Sequence, residues 1–282
     1  MQMFDSMVQR SVSCFEDKTK GIEGDLHGIN VMYQLSKVCP NAKLYSYRVA
    51  AKRAPDREPA PDEAAVVAAL RLAVADRIDI VTMSFGWKDW NEAVQRALRE
   101  AQNAGILLFA SSSNSGAHEG MEYPARDDAV IAADAADAFG NSAPFNSSHN
   151  TYEKKRYITP GIGLQSVTAE KIEGTSYASP ILAGVAALFL EFAKQEPLVR
   201  TEVLKFMKKK EGMQVLLNMI AVQKTTDPFF YVMPWILFYD KSGKHGGNGQ
   251  AGSRRFGAAD RIVEALVKQF GTGPNMGGGI FN

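Results

Sequence analysis

The spacing of hydrophobic residues switches repeatedly between the period of a strand and that of a helix along the first half of the chain. The predicted strands lie at residues 42–49, 78–86, 106–110 and 129–133. The predicted helices lie at residues 27–38, 61–76 and 91–103. The first has one apolar face at Val31, Met32, Leu35 and Val38, and Asp62 is the predicted N-cap of the second. Strands that alternate with helices are typical of βαβ units. We therefore expect a three-layer α/β/α fold around a mainly parallel central sheet.

The most apolar run, residues 181–192, follows the segment Gly-Thr-Ser-Tyr-Ala-Ser-Pro at residues 174–180. Gly174 allows a sharp turn into a helix, and Pro180 is tolerated near a first turn. Because the run is apolar almost all round, the helix is predicted to be buried. Ser176 would then have its hydroxyl near the positive end of the helix dipole, which suits a nucleophile. The structural alternative is an ordinary N-cap serine.

Polar residues follow two of the predicted strands. Residues 84–86 come after the strand at 78–83, and Asn114 follows the strand at 106–110. Ligand sites in parallel sheets lie beyond the carboxyl ends of the strands. The sequence therefore predicts that these residues meet at one edge of the sheet. His27 opens the first predicted helix, where a single histidine is usually structural or merely exposed.

Composition narrows the classes of function. The chain has 282 residues, 45% of them hydrophobic, and a net charge of +1, so nothing favours binding to nucleic acid or to an anionic membrane. No metal cluster, nucleotide loop or other cofactor motif is legible, and we expect no apolar run long enough to span a bilayer. Cys14 and Cys39 do not form a disulfide framework, and no signal peptide is seen, which favours an intracellular location. We expect a main domain at residues 1–200, with a helical, aromatic-rich extension and a glycine-rich tail at 201–282.

The segment at residues 174–188 resembles the nucleophile motif of the subtilisin-like serine proteases, the subtilases or peptidase S8 family. His27-Gly28, opening a helix that is followed by Pro-Asn-Ala-Lys-Leu-Tyr, resembles the histidine segment of that family. Ile29 and Met32 depart from the family pattern at this segment. The resemblance covers about residues 24–192, and intracellular multidomain fungal subtilases are its nearest form.

The resemblance implies a serine endopeptidase that acts on an extended polypeptide and needs no cofactor. Ser176 would be the nucleophile, His27 the general base and Asn114 an oxyanion donor. Residues 111–113 would line one side of the first specificity pocket. The residues expected to bind substrate are Ser84, Phe85, Gly86 and Ser112.

The triad carboxylate of the family is not legible. Its Asp-Thr-Gly or Asp-Ser-Gly motif lies well upstream of the histidine, whereas Asp5 and Asp25 are both close to His27. We expect the motif, with the first sheet strand, to lie beyond the N-terminus. Two alternatives stay open: a catalytically impaired subtilase-fold domain used as a scaffold or regulatory module, and an esterase in which His245 would be the base.

Overall fold

The structure is a computed structural model that describes residues 6–15, 26–51, 60–148, 155–195, 201–223, 228–238 and 251–270. The main strands are β1 (Val8–Ser13), β2 (Leu44–Arg48), β5 (Ile80–Met83), β6 (Leu107–Ser111), β7 (Val130–Ala136), β8 (Tyr157–Pro160), β11 (Ala221–Gln223) and β12 (Phe230–Val232). Short strands form β3 (Ala50–Ala51), β4 (Ala60–Pro61), β9 (Leu164–Gln165) and β10 (Lys171–Ile172). The helices are α1 (Leu26–Val38), α2 (Glu63–Ala75), α3 (Glu92–Asn103), α4 (Thr175–Lys194), α5 (Thr201–Met207), α6 (Lys210–Met219) and α7 (Ala251–Phe270), with a 3₁₀ turn at Pro234–Phe238.

A six-stranded sheet in the order β11-β12-β8-β7-β6-β5 is the centre of the molecule. The pairs from β5 to β12 are parallel, and only the β11–β12 pair at the far edge is antiparallel. Helices cover both faces of the sheet, with α4 packed on one face and α2 and α3 packed on the other. The predicted three-layer α/β/α fold with a mainly parallel sheet is confirmed.

The strand pair β1–β2 stands apart from this sheet. The two strands are parallel and are connected by α1, but within the described residues they form no ladder with β5. Tyr47 of β2 and Val81 of β5 nevertheless belong to one apolar cluster under α2 and α3. The segment that carries α1 is therefore held to the central sheet by packing rather than by strand pairing.

Helix α2 begins at the predicted N-cap Asp62, and α3 begins after a second capping residue, Asn91. The Asp62 carboxylate accepts a hydrogen bond from the Ala65 N–H at 3.0 Å, and the Asn91 side-chain oxygen accepts one from the Val94 N–H at 2.9 Å. α3 ends before Gly105, whose φ of +82° favours glycine. Local side-chain chemistry thus fixes these boundaries where the sequence predicted them.

Helix α4 crosses the face of the sheet and is buried along most of its length, as its apolar composition predicts. Its side chains pack in one cluster with Phe109, Ile131 and Tyr157 of the sheet. An 18-residue window of α4 has a mean hydropathy of 1.5, so by length and composition it is apolar enough to cross a membrane, contrary to the expectation that no such run exists. Because 67% of that window is buried inside the protein, a core helix accounts for the composition.

The burial of α1 differs from the predicted apolar face at Val31, Met32, Leu35 and Val38. The two buried residues are instead polar, Asn30 and Gln34. Asn30 Oδ1 accepts a hydrogen bond from the Val167 N–H at 2.9 Å, and Gln34 Nε2 donates one to the Gln165 carbonyl at 2.8 Å. α1 packs on the backbone of the β9–β10 hairpin, whose polar groups need partners that apolar side chains do not supply.

Residues after 200 contribute to the same sheet and the same core. β12 pairs with β8, and Met213, Leu216 and Ile262 of α6 and α7 pack in the cluster that contains α4. The division at residue 200 stays a prediction, with strands of one sheet on both sides of it. The glycine-rich tail at 271–282 lies outside the described residues.

Candidate active site

The start of α4 presents Ser176 without using its hydroxyl as a cap. Gly174 is the N-cap residue, with φ of +141°, and no side chain caps the helix. Ser176 is the second helical residue and is half-buried. Its hydroxyl forms no hydrogen bond with any residue that the structure describes. The alternative of an ordinary N-cap serine is therefore wrong.

Pro180 lies inside α4, one turn further along than predicted. Proline has no N–H, so residue 180 cannot donate to the carbonyl of Ser176 four residues earlier. The Ser84 hydroxyl takes this place and donates to the Ser176 carbonyl at 2.6 Å. The helix start is thereby joined to the segment that follows β5.

Asn114, directly beyond β6, is joined to the same helix start. Its Oδ1 accepts hydrogen bonds from the backbone N–H of Thr175 at 2.9 Å and from the Thr175 hydroxyl at 3.0 Å. These two bonds fix the orientation of the carboxamide. Its Nδ2 is then directed towards Gly174, where an added Cβ would lie 3.3 Å from it. A side-chain N–H donor is thus held one residue away from Ser176.

His27, in the first turn of α1, lies at the same end of α4. Its ring centroid is 5.6 Å from that of Tyr177, the neighbour of Ser176. The close approach of the two helices depends on Gly184, where an added Cβ would lie 2.9 Å from the Cβ of Val38. The structure therefore gathers His27, Asn114 and Ser176 at the N-terminus of α4, while their catalytic roles stay predictions.

Two segments at the ends of neighbouring strands lie beside this helix start, and we call them the two walls. The first wall, residues 84–87, follows β5. The second wall, residues 111–113, consists of the last residue of β6 and the two residues after it. The segment 121–123 joins the two walls: the Glu122 N–H donates to the Ser112 carbonyl at 2.9 Å, and Trp87 and Tyr123 exchange two backbone hydrogen bonds at 2.7 and 2.9 Å. Phe85 packs against Trp87, with the ring centroids 5.4 Å apart.

The Ser112 side chain, predicted to bind substrate, points away from the site. It is fully buried, and its hydroxyl donates to Asp134 at 2.5 Å. Its backbone is also paired, because its N–H donates to the Ala133 carbonyl at 3.0 Å and its carbonyl accepts from the Glu122 N–H. Asp134 also accepts from Arg156 through Nε at 2.8 Å and through Nη2. Both partners of this ion pair are completely buried.

Sequence reasoning missed the Asp134–Arg156 pair. The Arg156 guanidinium also donates to the Ser148 carbonyl at 2.7 Å and to the Ser147 hydroxyl at 2.8 Å. The pair thus connects the end of β6 with β7, β8 and the loop between them. The available signal was the single aspartate at 134 in an otherwise apolar run, because a buried carboxylate needs a charged or hydrogen-bonding partner.

Sequence reasoning also missed Glu122, which stands between the two walls. An added Cβ on Gly86 would lie 2.4 Å from Glu122 Oε2, so the carboxylate rests directly on the Gly86 backbone. Burial raises the pKa of Glu122, and a hydrogen bond from Ser113 lowers it by less than burial raises it. The nearby Glu119 raises this pKa further, and Lys88 and Arg126 lower it.

The carboxylates considered for the triad, Asp5 and Asp25, lie outside the described residues, as does His245 of the esterase alternative. Within the described part of the chain, no group of three or more histidine, cysteine, aspartate or glutamate side chains is placed to hold a metal ion.

Comparison with known proteins assigns the chain to a family. Residues 20–257 match the family model described as the subtilase family, Peptidase_S8. The subtilisin-like protease het-Q2 of Podospora anserina is 31% identical over 62% of this chain and 51% of its own length. The thermostable alkaline protease of Halalkalibacterium halodurans is 33% identical over 59% of this chain and 45% of its own length. The chain thus spans about half the length of these curated relatives.

Solved structures show the same fold at low identity. The prenylagaramide maturation protease PagA superimposes with a TM-score of 0.66 at 20% identity, covering 83% of this chain and 86% of its own. The patellamide maturation protease PatA gives 0.65 at 18% identity, covering 92% of both chains.

Proposed function

This chain belongs to the subtilase family of serine proteases, and we propose that it cleaves peptide bonds through an acyl-enzyme on Ser176. His27 accepts the hydroxyl proton as Ser176 Oγ bonds to the substrate carbonyl carbon. The C–N bond then breaks, and the proton goes from His27 to the leaving amine. A water molecule, activated by the same histidine, hydrolyses the ester and restores the serine.

The observation that carries this proposal is the pair of hydrogen bonds from Thr175 to Asn114 Oδ1. They direct Asn114 Nδ2 towards the helix start, where the backbone N–H of Ser176 belongs to the unbonded first turn. Two N–H donors near the nucleophile are what a developing oxyanion requires. The helix dipole adds a favourable field for the same negative charge.

The peptide substrate would bind in extended form along residues 84–86. β5 is the edge strand of the six-stranded sheet, and an exposed strand end can pair with a further strand. Ser84 is held to the Ser176 carbonyl, so a peptide bound there is in register with the nucleophile. From the sequence, the proposal also includes further domains of a larger parent protein as partners and an intracellular location.

One observation favours the second candidate, an impaired subtilase-fold domain that acts as a scaffold or regulatory module. The β1–β2 pair carries α1, and in the described residues it forms no ladder with β5. The segment that carries His27 is therefore held to the sheet that precedes Ser176 by side-chain packing and not by strand pairing. Catalysis is sensitive to displacements of about 1 Å at such a base.

A fluorophosphonate probe tests the first candidate against the second. The purified chain is expected to be labelled, and Ser176→Ala is expected to abolish labelling. Ser115→Ala, which removes an exposed serine near the site, is the matched control and should be labelled like the wild type. His27→Gln should slow labelling without unfolding the chain, as checked by circular dichroism. A folded wild-type chain that does not react refutes the catalytic proposal and supports the scaffold.

A further inference from the structure

A carboxylate lies at the base of the space between the two strand-end walls. Glu122 is placed there by its own backbone, because its N–H bonds to Ser112 on one wall and the adjacent Tyr123 bonds to Trp87 on the other. Its side chain rests on Gly86, the residue with no Cβ in this wall. Ser113, on the opposite wall, is close enough to lower the pKa of the carboxylate. Glu122 therefore bonds to one wall through its backbone and contacts the other through its side chain.

The charge of Glu122 is not balanced by an ion pair within the described part of the chain. The nearest cations are engaged elsewhere: Lys88 Nζ lies 2.9 Å from Glu119, and Arg126 Nη2 donates to the Lys88 carbonyl at 2.6 Å. The half-buried Glu122 carboxylate has a pKa above its ordinary value, mainly because burial disfavours its charged form. A cation that entered the space would reverse this penalty by pairing with the carboxylate.

We propose that Glu122 is a specificity-determining residue, and that the space between residues 84–87 and 111–113 takes a lysine or arginine side chain of the substrate. This inference rests on the proposed function, since the residue concerned is the one directly before the cleaved bond. The aliphatic part of the side chain would lie between the backbones of the two walls, and its cationic end would reach the carboxylate. The substrate class is thus a polypeptide cleaved after a basic residue.

The experiment compares two peptidyl phosphonate probes that differ only in the residue before the phosphorus, lysine or norleucine. Norleucine has the same linear carbon chain without the ammonium group. The wild type is expected to react faster with the lysine probe, and Glu122→Gln is expected to reduce that preference roughly 10- to 100-fold, the range for one hydrogen bond to a charged group. The preference is the ratio of the two labelling rates, so a change in the general reactivity of Ser176 in Glu122→Gln cancels out of it.

Glu119→Gln is the matched control, because it removes an acidic charge from the same region without touching the Gly86 wall. It should keep the lysine preference. Glu122→Asp, which shortens the side chain but keeps its charge, should keep part of it. The proposal is overturned if a chain labelled by the fluorophosphonate reacts as fast with the norleucine probe, or if Glu119→Gln loses the preference as fully as Glu122→Gln.

A folded chain that the fluorophosphonate does not label would refute the proposed catalysis. The specificity of the pocket would then be tested by measuring peptide binding. Peptides that end in lysine or norleucine are then titrated into the folded chain by isothermal calorimetry. Tighter binding of the lysine peptide, abolished in Glu122→Gln and kept in Glu119→Gln, supports the assignment of the pocket. Equal binding of the two peptides overturns it.

Discussion

The buried ion pair between Asp134 and Arg156 is expected to be the most sensitive point of the fold near the site. Both side chains have no exposed surface, and the guanidinium makes two hydrogen bonds to the carboxylate. Arg156→Met would leave the Asp134 carboxylate buried without its cation, while the Ser112 hydroxyl still donates to it. Removing one partner of a buried pair costs about 3–5 kcal/mol in the free energy of unfolding.

Such a loss is a large share of the total stability, since folded proteins have a free energy of unfolding of only about 5–15 kcal/mol. Asp134→Leu should cost a similar amount, because it leaves the Arg156 cation buried among neutral partners. In the described residues these are the carbonyls of residues 147 and 148, the Ser147 hydroxyl and the Phe229 ring. The double variant Asp134→Leu/Arg156→Met removes both charges. It should therefore be more stable than the sum of the single effects predicts, by roughly 2–3 kcal/mol.

Urea unfolding followed by far-UV circular dichroism measures these changes from the transition midpoint at constant slope. Arg71→Met is the control, because the Arg71–Glu100 pair is exposed and its loss should change stability by no more than about 0.5 kcal/mol. Two results would refute the reasoning: a loss in Arg156→Met as small as that of the control, or a double variant that loses the full sum of the two single losses.

Three further predictions concern other contacts of the site and the fold. Ser84→Ala should lower stability by about 1 kcal/mol by leaving the Ser176 carbonyl without its donor, and urea unfolding should show a smaller loss in a Pro180→Ala background, where residue 180 regains an N–H. Gly184→Ala should lower the free energy of unfolding by about 1–3 kcal/mol, because its added Cβ would displace Val38 of α1. It should also slow fluorophosphonate labelling at temperatures where the chain stays folded. Gly257→Ala is the control and should have neither effect, because an added Cβ there has nothing within 4 Å. Burial raises the pKa of Asp79, but Lys208 and Lys194 lower it by more, so its folded pKa lies below the ordinary value. Its ion pairs therefore stabilise the fold above the unfolded-state pKa and are lost as the pH falls through the folded one, and the difference in melting temperature between wild type and Asp79→Asn should shrink from pH 7 to pH 3.

The parts of the fold that were predictable from the sequence are those encoded over short distances. Helices α2 and α3 begin at capping residues that bond to the backbone three residues later, and α4 follows a glycine in a conformation that favours glycine. The strand β8 was missed, because the polar residues before it hide a strand that becomes buried only between β7 and β12. Local patterns contain no information about such neighbours.

The residues of the candidate site also differ in whether the sequence alone could predict them. Ser176, His27 and Asn114 are recognisable because each lies in a short segment whose residue types are specific. Glu122 is not, because its partner Gly86 is far away in sequence and meets it only through the bridge between Trp87 and Tyr123. The departure of α1 from its predicted apolar face has a similar cause. Asn30 and Gln34 are buried because a hairpin more than a hundred residues later presents its backbone to them.

The catalytic and the scaffold hypotheses differ in how well they explain the contacts of Ser176 and Asn114. A purely structural role explains the bonds from Thr175 to Asn114 and from Ser84 to Ser176, because they hold the start of α4 in place. It does not explain why, within the described residues, the half-buried Ser176 hydroxyl makes no hydrogen bond at this helix N-terminus. That hydroxyl is the group that attack on a carbonyl carbon would use, and the exposed Asn114 amide is directed towards the same helix start. The catalytic hypothesis therefore accounts for a feature of Ser176 that the scaffold hypothesis leaves without a purpose.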